Sequence, residues 1–112
     1  MRIKKQNLKS WNMIYITQFI YLKEGQENVF DQFENIAIPI ISKYNGQLLL
    51  RIRPGETSFI ERNMDAPYEI HFVEFATEDD FKNFMQDEER KQFIHLKDQS
   101  IKAVTLIKGT KI

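Results

Sequence analysis

An α+β fold, one antiparallel sheet backed by helices, is predicted by three features of this 112-residue chain. The stretch 67–96 joins an apolar run, Tyr68-Glu69-Ile70-His71-Phe72-Val73-Glu74-Phe75-Ala76, directly to a helix start at Thr77-Glu78-Asp79-Asp80-Phe81. Residues 13–22 form a second run that is apolar on both faces. Between and after them, extended and helical periodicities follow one another as strand, helix, strand, strand, helix pair, strand. With 42% hydrophobic residues the chain can bury one core of its own, though a small one.

Taken in order, residues 1–12 are polar and aperiodic and are expected to form an arm, with the Trp11 ring pinning it down. Residues 13–22 are the first strand, with Met13, Tyr15, Phe19 and Tyr21 on one face and Ile14, Ile16, Ile20 and Leu22 on the other. An antiparallel strand is apolar on both faces only when both sides of its sheet are covered, so this strand is central. Lys23-Glu24-Gly25-Gln26 turns the chain, and an amphipathic helix follows from Glu27, its stripe built from Val29, Phe30, Phe33, Ile36, Ala37, Ile40, Ile41 and Tyr44. Pro39 removes one backbone hydrogen bond and crowds the carbonyl of Asn35, so one bent helix is expected, closed by Asn45-Gly46 in a left-handed cap.

Residues 47–53 are the second strand, with Leu48, Leu50 and Ile52 on one face and Leu49, Arg51 and Arg53 on the other. Pro54-Gly55 opens a long connection to Pro67, in which residues 57–61 can add a short strand. The strand ending at Ala76 is again apolar on both faces and central. Its helix starts sharply: the Thr77 side chain can cap it, Asp80 completes a capping-box-like pair, and three acids sit where the helix dipole is positive. Phe81, Phe84 and Met85 face inward, and Asp87-Glu88-Glu89 starts a second helical segment with Phe93 and Leu96 inward, ending near Ser100. Residues 101–108 are the last strand.

This order is the ferredoxin-like β-α-β-β-α-β arrangement, whose first and third strands lie in the middle of the sheet. Those are the two strands that are apolar on both faces. Helices cover one side of such a sheet, so the other side needs a second sheet, and another copy of the chain is the simplest source. A homodimer with facing sheets is expected.

The run Phe33-Glu34, Ala37, Pro39, Tyr44-Asn45-Gly46, Leu49-Leu50-Arg51, Glu74-Phe75 before a helix, and Lys108-Gly109 resembles a small domain-of-unknown-function family of the dimeric α/β-barrel superfamily. That superfamily also holds antibiotic-biosynthesis monooxygenases, muconolactone isomerases and haem-handling branches. The resemblance spans residues 13–109 and contains no catalytic motif. It implies the paired-sheet dimer and, by analogy with catalytic relatives, a small organic ligand in the cleft between sheet and helices.

Composition removes several function classes. Sixteen basic and sixteen acidic residues, without a long basic run, argue against nucleic acid or a membrane surface as partner. The absence of cysteine removes disulfides, thiolate metal sites and a cysteine nucleophile, and fits a cytoplasmic protein. Arg2, Lys4, Lys5 and Lys9 before the apolar run imitate a signal peptide, but Thr17, Gln18 and Lys23-Glu24 interrupt and end that run without a small-residue cleavage site.

The candidate site residues are few. Arg51 and Arg53 share a strand face, and burial there would require carboxylates, a ligand anion or water. Glu74, the charged residue at the C-terminal end of a central strand, is the expected partner. A structural ion pair accounts for this set as well as ligand binding does. His71, two residues from Glu69, is the candidate general base oriented by a carboxylate. Tyr15 is a candidate hydrogen-bonding group for a ligand, or a core ring with its hydroxyl at a wet edge. His95 invites a comparison with haem-binding branches but has no supporting pattern around it. The acidic clusters at 78–80 and 87–89 are explained by helix capping, so no metal or other cofactor is assigned. Two readings stand: a cofactor-independent monooxygenase, isomerase or decarboxylase binding a small molecule, or a noncatalytic interaction module.

Overall fold

The computed structural model describes residues 13–112; the expected arm and Trp11 lie outside the described residues. The elements run β1 (Ile14–Leu22), α1 (Glu27–Ile40), a 3-10 turn (Ile41–Tyr44), β2 (Gly46–Ile52), a second 3-10 turn (Glu56–Ser58), β3 (Glu69–Phe75), α2 (Glu78–Met85), α3 (Glu88–Gln92), α4 (Ile94–Ser100) and β4 (Ile101–Gly109). The sheet order is β2-β3-β1-β4, every neighbouring pair antiparallel, so β1 and β3 are the central strands. This is the ferredoxin-like α+β arrangement. No helix among the described residues is long and apolar enough to cross a membrane.

The helices cover one side of the sheet because their apolar stripes match one parity of the strands. Ile14 and Ile16 of β1 and Val73 and Phe75 of β3 are buried in one cluster with Ile40, Ile41 and Phe84, and Ile36, Leu48, Phe81 and Met85 pack around it. Thr77 caps α2 as its sequence requires, its hydroxyl accepting the Asp80 amide at 3.0 Å. Asp87 does the same for α3, taking the Arg90 amide at 2.8 Å, while its other carboxylate oxygen accepts from the Tyr44 hydroxyl at 2.6 Å and Lys43 Nζ at 2.9 Å. Those bonds hold the Asp87 carboxyl well below its ordinary range, the Tyr44 hydroxyl being the largest influence.

Pro39 acts later than expected. The α-helix runs through it to Ile40 and only then tightens into the 3-10 turn, closed by Asn45 in the left-handed region at φ 56°. Gly46 is required for a different reason, close approach: a Cβ there would stand 2.7 Å from Ile41 Cγ2 and 2.7 Å from Phe75 Cε1. Gly46→Ala is therefore expected to destabilise the fold by about 1–3 kcal/mol, seen as a lower urea midpoint with an unchanged slope. An unchanged midpoint would mean that Ile41 and Phe75 move aside freely.

Two expectations are corrected. The connection from residue 54 to 67 contains only the 3-10 turn and adds no strand at 57–61. The assignment of faces on β2 also fails halfway along. Leu48 pairs with Val73, but Leu50, not Leu49, pairs with Phe72, so Leu49 is an extra residue in a β-bulge. Beyond it the alternation is shifted: Leu50 and Ile52 turn away from the helices and Arg51, paired with His71, turns toward them.

The side of the sheet away from the helices is apolar and uncovered by any described element. Phe19, Ile70 and Phe72 lie there with Tyr15, and Leu50, Ile52 and Ile107 are 47%, 41% and 50% exposed.

Candidate functional site

The sequence-predicted residues separate onto the two sides of the sheet. Tyr15 and Glu74 are cross-strand partners on the open side. There the Tyr15 ring is buried by stacking on Phe72, centroids 5.7 Å apart. Arg51 and Arg53 turn to the helix side beyond the bulge at Leu49, and Glu74 lies on the open side opposite Gln47, so Glu74 is not their partner. Their carboxylate is Glu69. Arg51 Nε donates to Glu69 Oε2 at 2.5 Å and Arg53 Nε to Glu69 Oε1 at 2.6 Å, while the terminal nitrogen of Arg53 reaches Asp31 of α1 at 2.6 Å. The Arg53 guanidinium also lies over the Tyr68 ring, 4.9 Å from its centroid. Both arginines are thus satisfied by protein carboxylates. His95 is exposed on α4, its ring 6.4 Å from Phe93.

His71 sits between two carboxylates. Its Nε2 is hydrogen-bonded to Glu69 Oε2, and its Nδ1 lies 3.4 Å from Glu34 Oε2 on α1. All three side chains are buried. Burial pushes the Glu69 carboxyl up, but hydrogen bonds from His71, Arg51 and Arg53 outweigh it and hold the group at about 2. Glu69 is therefore an anion, and Nε2 is the ring nitrogen that carries the proton toward it. Glu34 is the opposite case: desolvation raises its pKa despite nearby His71 and Arg51. Burial therefore favours the protonated form of Glu34 beside Nδ1 of His71. Glu34, Glu69 and His71 also offer three donor atoms within 4.8 Å of one another. Two guanidinium groups already occupy Glu69, so this donor set suits a hydrogen-bonded proton network better than a divalent cation.

Beside this network lies a cavity of about 190 Å³ between sheet and helices. Its walls are mostly apolar, from Phe33, Val73, Phe81 and Phe84 among others, and its polar lining comes from Gln18, Glu34, His71, Arg90 and Lys97. Gln18 is the β1 residue paired with His71. Of the sequence-predicted residues, only His71 lines this cavity; Arg51, Arg53, Glu74 and Tyr15 do not. Sequence reasoning misses Glu34, Arg90 and Lys97 because charged residues on helices usually face water. One signal is available for Glu34: it falls within the apolar stripe of Phe30, Phe33 and Ala37.

No protein-family model and no curated protein matches the sequence. Solved structures do match, at low identity. A protein of unknown function from Rhodopseudomonas palustris superposes with a TM-score of 0.77 at 9% identity, over 99% of this chain and 92% of that one. A DABB family protein with a ferredoxin-like fold from Mesorhizobium loti gives 0.65 at 16% identity, covering 89% and 97%. A NIPSNAP family protein with unknown function from Agrobacterium tumefaciens gives 0.64 at 18%, covering 89% and 88%. The chain shares its ferredoxin-like fold with these proteins.

Proposed function

We propose that the cavity between sheet and helices binds a small organic molecule and that His71, with Glu34, moves a proton on it, as in a cofactor-independent isomerase, decarboxylase or monooxygenase. The observation that carries this reading is the state of His71: Nε2 held by an anionic Glu69, Nδ1 beside a Glu34 whose burial favours the protonated form, and both His71 and Glu34 in the cavity wall. An oriented imidazole with a second proton carrier at its other nitrogen has the parts of general acid–base catalysis. Glu69 acts through His71 and is a positioning residue. The pairing of Arg51 and Arg53 with Glu69 favours a structural role for those arginines.

The test is exchange of carbon-bound hydrogen. A panel of enolisable ketones and β-keto acids in D2O, followed by proton NMR, should include compounds whose exchange the protein accelerates, and His71→Gln should lower that rate about 10²–10⁴-fold with binding retained. Binding with equal exchange by His71→Gln would remove the catalytic part and leave a ligand carrier. No bound compound in the panel would count against the whole reading.

The same reading takes the protein as a cytoplasmic homodimer. The uncovered face carrying Tyr15, Phe19, Ile70, Phe72, Leu50 and Ile107 is the surface on which a second copy would seat its own sheet.

A further inference from the structure

We infer that the ligand of this cavity is a carboxylate with an apolar body, its anionic head held by Arg90 and Lys97 rather than by the strand arginines. This rests on the reading of the cavity as a small-molecule site and adds the chemical class.

Arg90 is only 7% exposed, and its Nε is the only buried side-chain nitrogen or oxygen among the described residues without a hydrogen-bond partner. One terminal nitrogen donates to the Met85 carbonyl at 3.1 Å. The guanidinium is otherwise held by aromatic faces, 5.2 Å from the Phe84 centroid and 5.7 Å from that of Phe33. No carboxylate among the described residues lies within ion-pair distance of it. Lys97 lines the same cavity, is half-buried and likewise has no ion pair or side-chain hydrogen bond among the described residues. Desolvation lowers its pKa, and the charge of Arg90 lowers it further.

Burying a cation without a counter-charge is unfavourable. The contrast within this protein is direct, because Arg51 and Arg53 both have Glu69. Two buried carboxyls act on Arg90 from a distance, but Glu34 faces His71 and its own burial favours the neutral form, and Asp87 is taken up by Tyr44, Lys43 and the Arg90 amide. The cavity therefore has excess positive charge in its lining and apolar walls elsewhere. A planar guanidinium fork matches a carboxylate, whereas a phosphate dianion would need more donors than this lining offers.

The experiment is calorimetric titration of the full chain with matched pairs: benzoate and benzamide, 3-phenylpropanoate and 3-phenylpropanamide, octanoate and octanamide. At least one carboxylate should bind tenfold or more tightly than its amide. Arg90→Met and Lys97→Met should each reduce that preference toward unity while amide affinity stays within about twofold. Lys97→Met serves where Arg90→Met fails to fold, since Lys97 holds no other described group. Amides binding as tightly as their carboxylates would overturn the anion assignment while leaving the cavity a ligand site. A carboxylate preference that survived in Lys97→Met would overturn it as well. Failure of all six compounds to bind would remove the small-molecule reading together with this one.

Discussion

Glu69→Ala is expected to destabilise the fold by about 3 kcal/mol and to lower its thermal midpoint by about 10 °C or more. Glu69 is fully buried and is shared by Arg51, Arg53 and His71. Its removal leaves two guanidinium groups and a buried imidazole without their common acceptor. Arg51 and Arg53 are partly exposed and can turn to water, which places the effect at the lower end of the range for a broken buried pair. The pH dependence gives an independent check. The folded Glu69 carboxyl titrates at about 2 against 4.5 for an unperturbed glutamate, so the unfolded chain binds more protons between those values. Its stabilisation is complete above pH 4.5 and is lost as pH falls through 2, a difference of about 3 kcal/mol. Glu34 has the opposite sign: its raised pKa favours folding in acid, and that contribution falls as pH rises through the folded value. Urea unfolding across this range should show a flattened acid limb in Glu69→Ala and an intact one in Glu34→Gln. An acid limb unchanged in Glu69→Ala would overturn the account of Glu69 as the ionised hub.

The second large effect is expected at Phe72. It lies on central strand β3, on the sheet side that no described element covers, stacked on Tyr15. If a second copy covers this face, Phe72→Glu would bury a carboxylate in an apolar contact and weaken dimerisation at least about 100-fold, roughly 3 kcal/mol. Sedimentation equilibrium should then find the native chain as a dimer and the variant as a monomer, with the same far-UV spectrum because the helix-side core is untouched. A native chain that sediments as a monomer at high micromolar concentration would end the paired-sheet proposal.

The fold is legible in the sequence because its signals are local and redundant. β1 and β3 announce themselves as central by apolar residues on both parities, and Thr77 and Asp87 mark helix starts through capping chemistry that needs no tertiary knowledge. Of the candidate site, only His71 is legible in the sequence. Strand periodicity is a count of two, and the extra residue at Leu49 breaks that count without a glycine or proline to warn of it. Uninterrupted alternation therefore puts Arg51 on the face of Glu74, whereas in space it turns to the other face and its partner is Glu69. Parity along β3 alone points to Glu69, since it shares its face with His71, Val73 and Phe75. Arg90 and Lys97 are different: in sequence both look like the solvated edge of a short helix, and only the packing of Phe33 and Phe84 around the Arg90 guanidinium and the place of Lys97 in the cavity lining reveal otherwise.

The bulge also gives β2 one residue of slack. Removing Leu49 would leave Leu48 facing the helices, Leu50 facing away and Arg51 still directed at Glu69, so sidedness would survive the deletion. Losing Arg51 instead would put Ile52 in its place beside His71. Chain length in this strand is therefore free to vary by one at a single point, and related chains can differ there by a whole residue while keeping the same charged interior.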